Sequence, residues 1–228
     1  MSIIMYDLAG ADPDLRFSPY CWSIKFALAH KELPVETIPW RFTEKEAIAF
    51  SGQKRVPVIR DGQHVVSDSW AIAEYLENTH PEPTLFGSGA ARAHALFIRH
   101  WADAVMVPWI ARCIVRDIWD IADPKDKAYF RETREARLGS SLDQVHADRD
   151  RHAGVFRESM APVRSVLSTQ PFFGGESPTY ADHIVAGMLM WARCASRFPL
   201  LAEGDAVGVW FDRMRDQYGG MGRSAKAA

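Results

Sequence analysis

Six residues, Phe17-Ser18-Pro19-Tyr20-Cys21-Trp22, constrain this chain more than any other stretch. An apolar strand, Ile3-Ile4-Met5-Tyr6, and a polar loop precede them, and Ile24, Ala27, Leu28 and Lys31 come after at the three- and four-residue spacing of a helix. Ser18 then stands at the N-cap and Pro19 at the first helical position, where a missing N–H costs nothing. A helix entered this way leaves unpaired backbone N–H groups and a positive dipole end beside the Ser18 hydroxyl. Such a place welcomes a thiolate or a phosphate. Most Ser-Pro helix starts only cap, so the stretch points to a site only in combination with features further along the chain.

The elements around it are short and mixed. The first strand spans Ser2 to Leu8, and the loop from Ala9 to Phe17 is longer than a simple link needs, long enough to wall a pocket. Pro34 to Ile38 reads as a β-branched strand and Phe42 to Phe50 as a short helix or irregular segment. Residues 55–60 and 63–66 make a hairpin about Asp61-Gly62, and a helix is expected from Ser69 to Thr79. Pro81-Glu82-Pro83 marks a linker, so the expected division is a mixed-sheet domain over 1–81, a linker over 82–90 and a helical domain over 91–228. In that second part Phe97, Trp101, Val105, Trp109 and Cys113 repeat every four residues, predicting one long helix from Ala93 to Trp119 kinked at Pro108. A charged helix is expected from Asp126 to Arg151, and shorter ones over 155–168, 180–197 and 206–217.

Composition narrows the function classes. With 228 residues, 47% of them hydrophobic and 25% charged, the chain can bury a real core. A formal net charge of −2 without a basic tract gives no ground for nucleic-acid binding. No signal-like start or apolar run of roughly 18 residues appears, so no membrane is expected as a partner and a cytoplasmic location is. Cys21, Cys113 and Cys194 are odd in number and lack partners at metal-ligand spacing, which indicates neither a disulfide framework nor a metal site.

Pro57 lies inside an apolar run, where a proline needs a reason. A cis Val56-Pro57 peptide would present the Val56 N–H and C=O to an extended peptide ligand. Asp68-Ser69 then opens the next helix with a carboxylate and a hydroxyl, a pair suited to the ammonium and carboxylate of an α-amino acid. Ser-Pro-Tyr-Cys at a helix start, Val-Pro before a hairpin, Asp-Ser after it and an all-helical second half together resemble the glutathione transferases. Phe172-Phe173-Gly174-Gly175 followed by Ser177-Pro178-Thr179-Tyr180-Ala181-Asp182 is similar to that family's helix-start motif, with Thr179 and Asp182 as a capping box. Ser18 to Trp22, Ala73 to Leu76, Pro108-Trp109 and Tyr218 to Arg223 look like the bacterial β-etherase type, with Ser23 as a departure from the basic residue often found there.

The resemblance implies an α+β fold, with a thioredoxin-like N-terminal domain followed by an all-α domain, and glutathione as co-substrate. It implies that Ser18 stabilises the glutathione thiolate, Arg55 meets the glycyl carboxylate, Val56 pairs with the cysteinyl backbone beside Pro57, and Asp68 and Ser69 hold the γ-glutamyl end. A hydrophobic, aromatic electrophile is the implied second substrate, with Trp101, Met106, Trp109, Ile110 and Cys113 as candidate walls. A homodimer is implied as well. Cys21 reads as a buried packing residue, since Ser18 stands where a glutaredoxin has its attacking cysteine, and Tyr6 reads as strand packing. Two other readings remain open at this point: a glutathione-fold binding protein with little catalysis, and a glutathione-linked peroxide or disulfide reductase.

Overall fold

The computed structural model describes residues 2–87 and 89–228. Strand β1 (Ile3–Leu8) pairs in parallel with β2 (Val35–Trp40) and antiparallel with β3 (Val58–Asp61), which turns back into β4 (His64–Ser67) to give the order β2-β1-β3-β4. Asp61 closes the ladder opposite His64, so Gly62, at φ +56°, and Gln63 form the two-residue turn. Strand β2 runs past the expected Ile38 because it lies at the sheet's edge, where Pro39 can sit without breaking an inner ladder. Helices α1 (Pro19–His30) and α2 (Ser69–Thr79) complete the thioredoxin-like half, and residues Lys45–Ser51 form a 3-10 turn.

The second half is helical, and none of its described helices is long and apolar enough to cross a membrane. The long helix expected about Pro108 is present and runs further at both ends, as α3 (Gly89–Trp101), a π-helical turn (Ala102–Met106) and α4 (Val107–Ile121) in unbroken succession. Proline lacks the N–H that would bond the carbonyl four residues back, and the wider turn just before it absorbs the mismatch. The charged stretch, by contrast, is not one helix. It divides into α5 (Lys127–Leu138), α6 (Leu142–Ala147) and α7 (Arg149–Ser159). Gly139, at φ +67°, ends α5 in the left-handed conformation, and Ser141 with Gln144 starts α6 as a capping box. Helices α8 (Ala161–Leu167), α9 (Tyr180–Ala195) and α10 (Ala206–Ser224) complete the chain, the last interrupted by left-handed backbone from Tyr218 to Gly220.

Helix α9 joins the halves. It packs along α1 so closely that a Cβ on Gly187 would lie 2.5 Å from the Pro19 carbonyl oxygen. Tyr180 donates its hydroxyl to the Ser69 carbonyl at 2.8 Å and its N–H to the Leu85 carbonyl at 2.8 Å. The fully buried Asp182 gathers the N–H groups of Phe173, Thr179 and Gly174 and the Trp210 indole N–H at 2.8–3.2 Å, so it ties the loop before α9 to α10. The Tyr218 hydroxyl bridges His30 Nδ1 at 3.0 Å and His183 Nε2 at 2.7 Å. A second clamp is Asp126, buried between α5 and the sheet, whose carboxylate accepts from the N–H groups of Phe42 and Thr43 at 2.7 and 3.0 Å.

Candidate active site

Two cavities meet at the start of α1. The smaller, about 300 Å³, is polar and is lined by Tyr20, Gln53, Arg55, Val56, Pro57, Asp68, Ser69, Arg99 and Asp103. The Val56-Pro57 peptide is cis, and the chain enters β3 directly after it. Asp68 adopts φ +75° and caps α2 through one carboxylate oxygen, which accepts from the Trp70 and Ala71 N–H groups at 2.9 and 3.2 Å. Its other oxygen lies 3.0 Å from Arg99 Nη2. Tyr20 donates to Asp103 at 2.8 Å, and burial together with that carboxylate pushes the phenol well above its ordinary range, keeping it protonated. Arg99 and Asp103 come from α3 and the π turn, so the helical half completes a cavity begun by the sheet half. Nothing in the local sequence marked either residue as a partner of Asp68 or Tyr20. Their spacing from the motifs is set by tertiary packing.

The larger cavity is a cleft of about 560 Å³ that shares Tyr20, Arg55 and Val56 with the smaller and holds Ser18 in its wall. Ser18 is only 3% exposed, and its Oγ accepts the Cys21 N–H at 3.2 Å as the N-cap. A hydroxyl that accepts in this way keeps its own proton to donate. Opposite it, α4 presents Val107, Ala111, Val115 and Ile118, with Trp40 and Phe42 from the sheet half and Phe130 from α5.

The expected wall residues lie elsewhere. Met106, Ile110 and Cys113 are fully buried in the helical core, Trp109 is half-buried beside the His152 ring at 6.0 Å, and Trp101 packs half-buried against the core. None of the five lines either cavity. Trp101 precedes the π turn, and beyond it the stripe of α4 that faces the cleft is Val107, Ala111 and Val115, two residues out of phase with Trp109 and Cys113. Of the long first loop only Phe17 reaches the cleft, beside Leu8 at the end of β1, because Ala11 donates its N–H to the Ile121 carbonyl at 2.9 Å and holds the loop on the end of α4. Lys45, Arg134 and Arg137, unmarked by any motif, do line it.

Cys21 is fully buried beneath Ser18, and burial, with the Asp7 charge adding to it, pushes its thiol well above the ordinary range. Tyr6 packs against the Phe50 ring at 5.5 Å and lines neither cavity.

The N-terminal domain model of the glutathione S-transferases matches residues 13–84, and the C-terminal domain model matches residues 93–198. The chain belongs to the glutathione S-transferase superfamily. The chain is 29% identical over 140 residues to a glutathione S-transferase-like protein of Aspergillus flavus, covering 55% of itself and 49% of that relative, about half its length. Its fold matches glutathione transferase GSTFuA3 from Phanerochaete chrysosporium with a TM-score of 0.84 at 25% identity, over 94% of this chain and 96% of that one. A glutathione S-transferase of Ceriporiopsis subvermispora, solved in complex with glutathione, matches with a TM-score of 0.74 at 25% identity, over 98% and 95% of the two chains.

Proposed function

We propose that this chain binds glutathione in the polar cavity and uses its thiolate to attack an electrophilic carbon held in the cleft. The observation that carries this is the place of Ser18: a capping hydroxyl with a proton left to give, in the wall of the cleft that shares Tyr20, Arg55 and Val56 with the polar cavity. In this reading Asp68 and Ser69 take the γ-glutamyl end, the Val56 backbone beside cis Pro57 pairs with the cysteinyl residue, and Arg55 takes the glycyl carboxylate. The glutathione-bound relative supports the choice of ligand. The working assembly is a homodimer and the working location cytoplasmic, both on family resemblance.

Activation is the chemical problem. A free thiol with a pKa of about 8.5 is only a few per cent thiolate at neutral pH. Lowering that pKa by about two units takes about 2.7 kcal/mol of preferential thiolate binding, within reach of one hydroxyl donor and a helix N-terminus together. The thiolate forms the C–S bond as the leaving group departs with the electron pair of its bond to carbon, and the thiol proton goes to solvent. An aryloxide leaving group, and hence β-aryl ether cleavage, is the finer assignment. Burial of Cys21 favours this reading over disulfide reduction, since a buried, protonated thiol is a poor nucleophile.

The test is glutathione consumption with an activated aryl chloride and with a fluorogenic β-aryl ether, comparing wild type with Ser18→Ala. Conversion of either that collapses in the variant is the expected result. Glutathione binding without Ser18-dependent turnover would make the chain a binding protein, and turnover of the chloride alone would remove the etherase assignment.

A further inference from the structure

Five cationic side chains, Lys45, Lys54, Arg55, Arg134 and Arg137, line the larger cleft, and no carboxylate does. Among the described residues none of the five forms an ion pair, whereas Arg116, Arg164 and Arg223 elsewhere on the chain each meet an aspartate. The formal net charge is −2, so this concentration of positive charge is local and not a by-product of a basic protein.

The groups packed around these cations do not neutralise them. Lys45 Nζ donates to the Lys54 carbonyl at 3.0 Å and lies 4.6 Å from the Trp40 ring centre and 5.5 Å from that of Tyr129. The Arg134 guanidinium sits 4.5 Å from the Phe130 ring centre and 4.9 Å from that of Phe42, and gives one N–H to Thr133 Oγ1 at 2.8 Å. Asp126, the carboxylate that favours the charged form of Lys45, is buried and already accepts from the Phe42 and Thr43 N–H groups. Burial lowers the pKa of Lys45, and the charge of Arg134 lowers it further; burial and then Arg137 do the same to Arg134. Like charges held this close favour an anion between them.

Glutathione does not fill that role. Arg55 alone of the five also borders the polar cavity, where it serves the glycyl carboxylate in the proposed mode of glutathione binding, and the other four lie outside that cavity. Resting on that mode of binding, we propose that the second substrate is an aromatic electrophile carrying a carboxylate-type anionic group, received by Arg134 and Arg137 of α5 with Lys45, while its ring lies against Val107, Ala111 and Val115 of α4. Exposed Arg137 draws the anion to the mouth of the cleft, and half-buried Arg134, steadied by two rings, holds it.

The test uses 4-(chloromethyl)benzoate and 4-(chloromethyl)benzamide, which have the same size and reacting carbon and differ in charge. In each the glutathione sulfur forms a bond to the benzylic carbon as chloride leaves with its electron pair. Wild type should prefer the benzoate in kcat/KM by on the order of tenfold, and Arg137→Gln and Arg134→Gln should each erase most of that preference. Arg134→Lys, which keeps charge and stem, should retain part of it. Affinities for the products, S-(4-carboxybenzyl)glutathione and its carboxamide, give a second readout that needs no turnover. Equal affinity for the two, or a benzoate preference untouched in both glutamine variants, overturns the anion assignment. If neither chloride is converted the transferase reading falls, and the product affinities still decide whether the cleft selects an anion.

Discussion

The two cavities are built by different means and balanced in opposite ways. Turns and helix starts wall the polar cavity, namely the cis Val56-Pro57 peptide, the Asp68 cap and the first turn of α1, and its charges meet inside it: Asp68 faces Arg99 and Asp103 accepts from Tyr20. Helix faces wall the cleft, and its five cations have no carboxylate among them. A site with both signs of charge suits a ligand with both signs, such as the α-amino acid end of a peptide. One sign of charge over an apolar wall suits an apolar body with a single anionic tail. Ser18 stands in the cleft wall close to the residues the two cavities share, which is where a sulfur carried by the first ligand would meet a carbon carried by the second.

That division can be broken experimentally. Replacing Ser18 by alanine strikes both cavities at their junction and should lower kcat near neutral pH by on the order of 100-fold, the usual loss for one donor to a developing anion. Raising the pH should recover part of the loss, since the free thiol ionises unaided above about 8.5; a rate that stays low at alkaline pH would place Ser18 in folding instead. Asp68→Asn should act on one cavity only. Asparagine caps a helix and tolerates positive φ nearly as well as aspartate, so stability should hold while KM for glutathione rises about tenfold from loss of the charge facing Arg99. Ala111→Phe is the mirror experiment: it narrows the cleft along α4, and kcat/KM for an aromatic substrate should fall several-fold with glutathione affinity intact by calorimetry. A parallel loss of both affinities in either variant would mean the cavities are not separable.

The smallest expected effect concerns the seam that holds the two halves together. His183 is fully buried, and burial followed by the neighbouring His30 drives its pKa well below the ordinary 6.5. Between 6.5 and that depressed value the unfolded chain takes up a proton that the folded chain refuses. Thermal stability should therefore decline as pH falls through that window, and His183→Gln should flatten the decline, read from melting temperatures across pH.

Legibility in the sequence divides along the same line. The polar cavity and its junction with the cleft are made of local signals: Ser18-Pro19 declares the helix start at the junction, Pro57 interrupts an apolar run, and Asp68-Ser69 opens α2, each readable within a few residues. Their completion by Arg99 and Asp103 was not legible, because nothing local ties those residues to Asp68 and Tyr20. The cleft depends on helix phase. Counting in fours from Phe97 leads to Trp109 and Cys113, whereas the stripe of α4 that walls the cleft, Val107, Ala111 and Val115, lies two residues out of phase with that count. Proline announced an irregularity without saying which way the helix would turn. The break between α5 and α6 was written in Gly139 and Ser141, and a strong run of charges masked it.

The close fit of α9 on α1 also has a bearing on the order of events during synthesis. The ribosome delivers α1 early and α9 near the end, and at roughly 5–20 residues per second the interval between them is on the order of ten seconds. Through that interval the nascent sheet half lacks the helix against which Gly187 lets the Pro19 backbone rest, and its apolar flank faces water. The N-terminal half is therefore made first but finished last, and truncations ending before Tyr180 should be captured by holdases rather than released as a folded small domain.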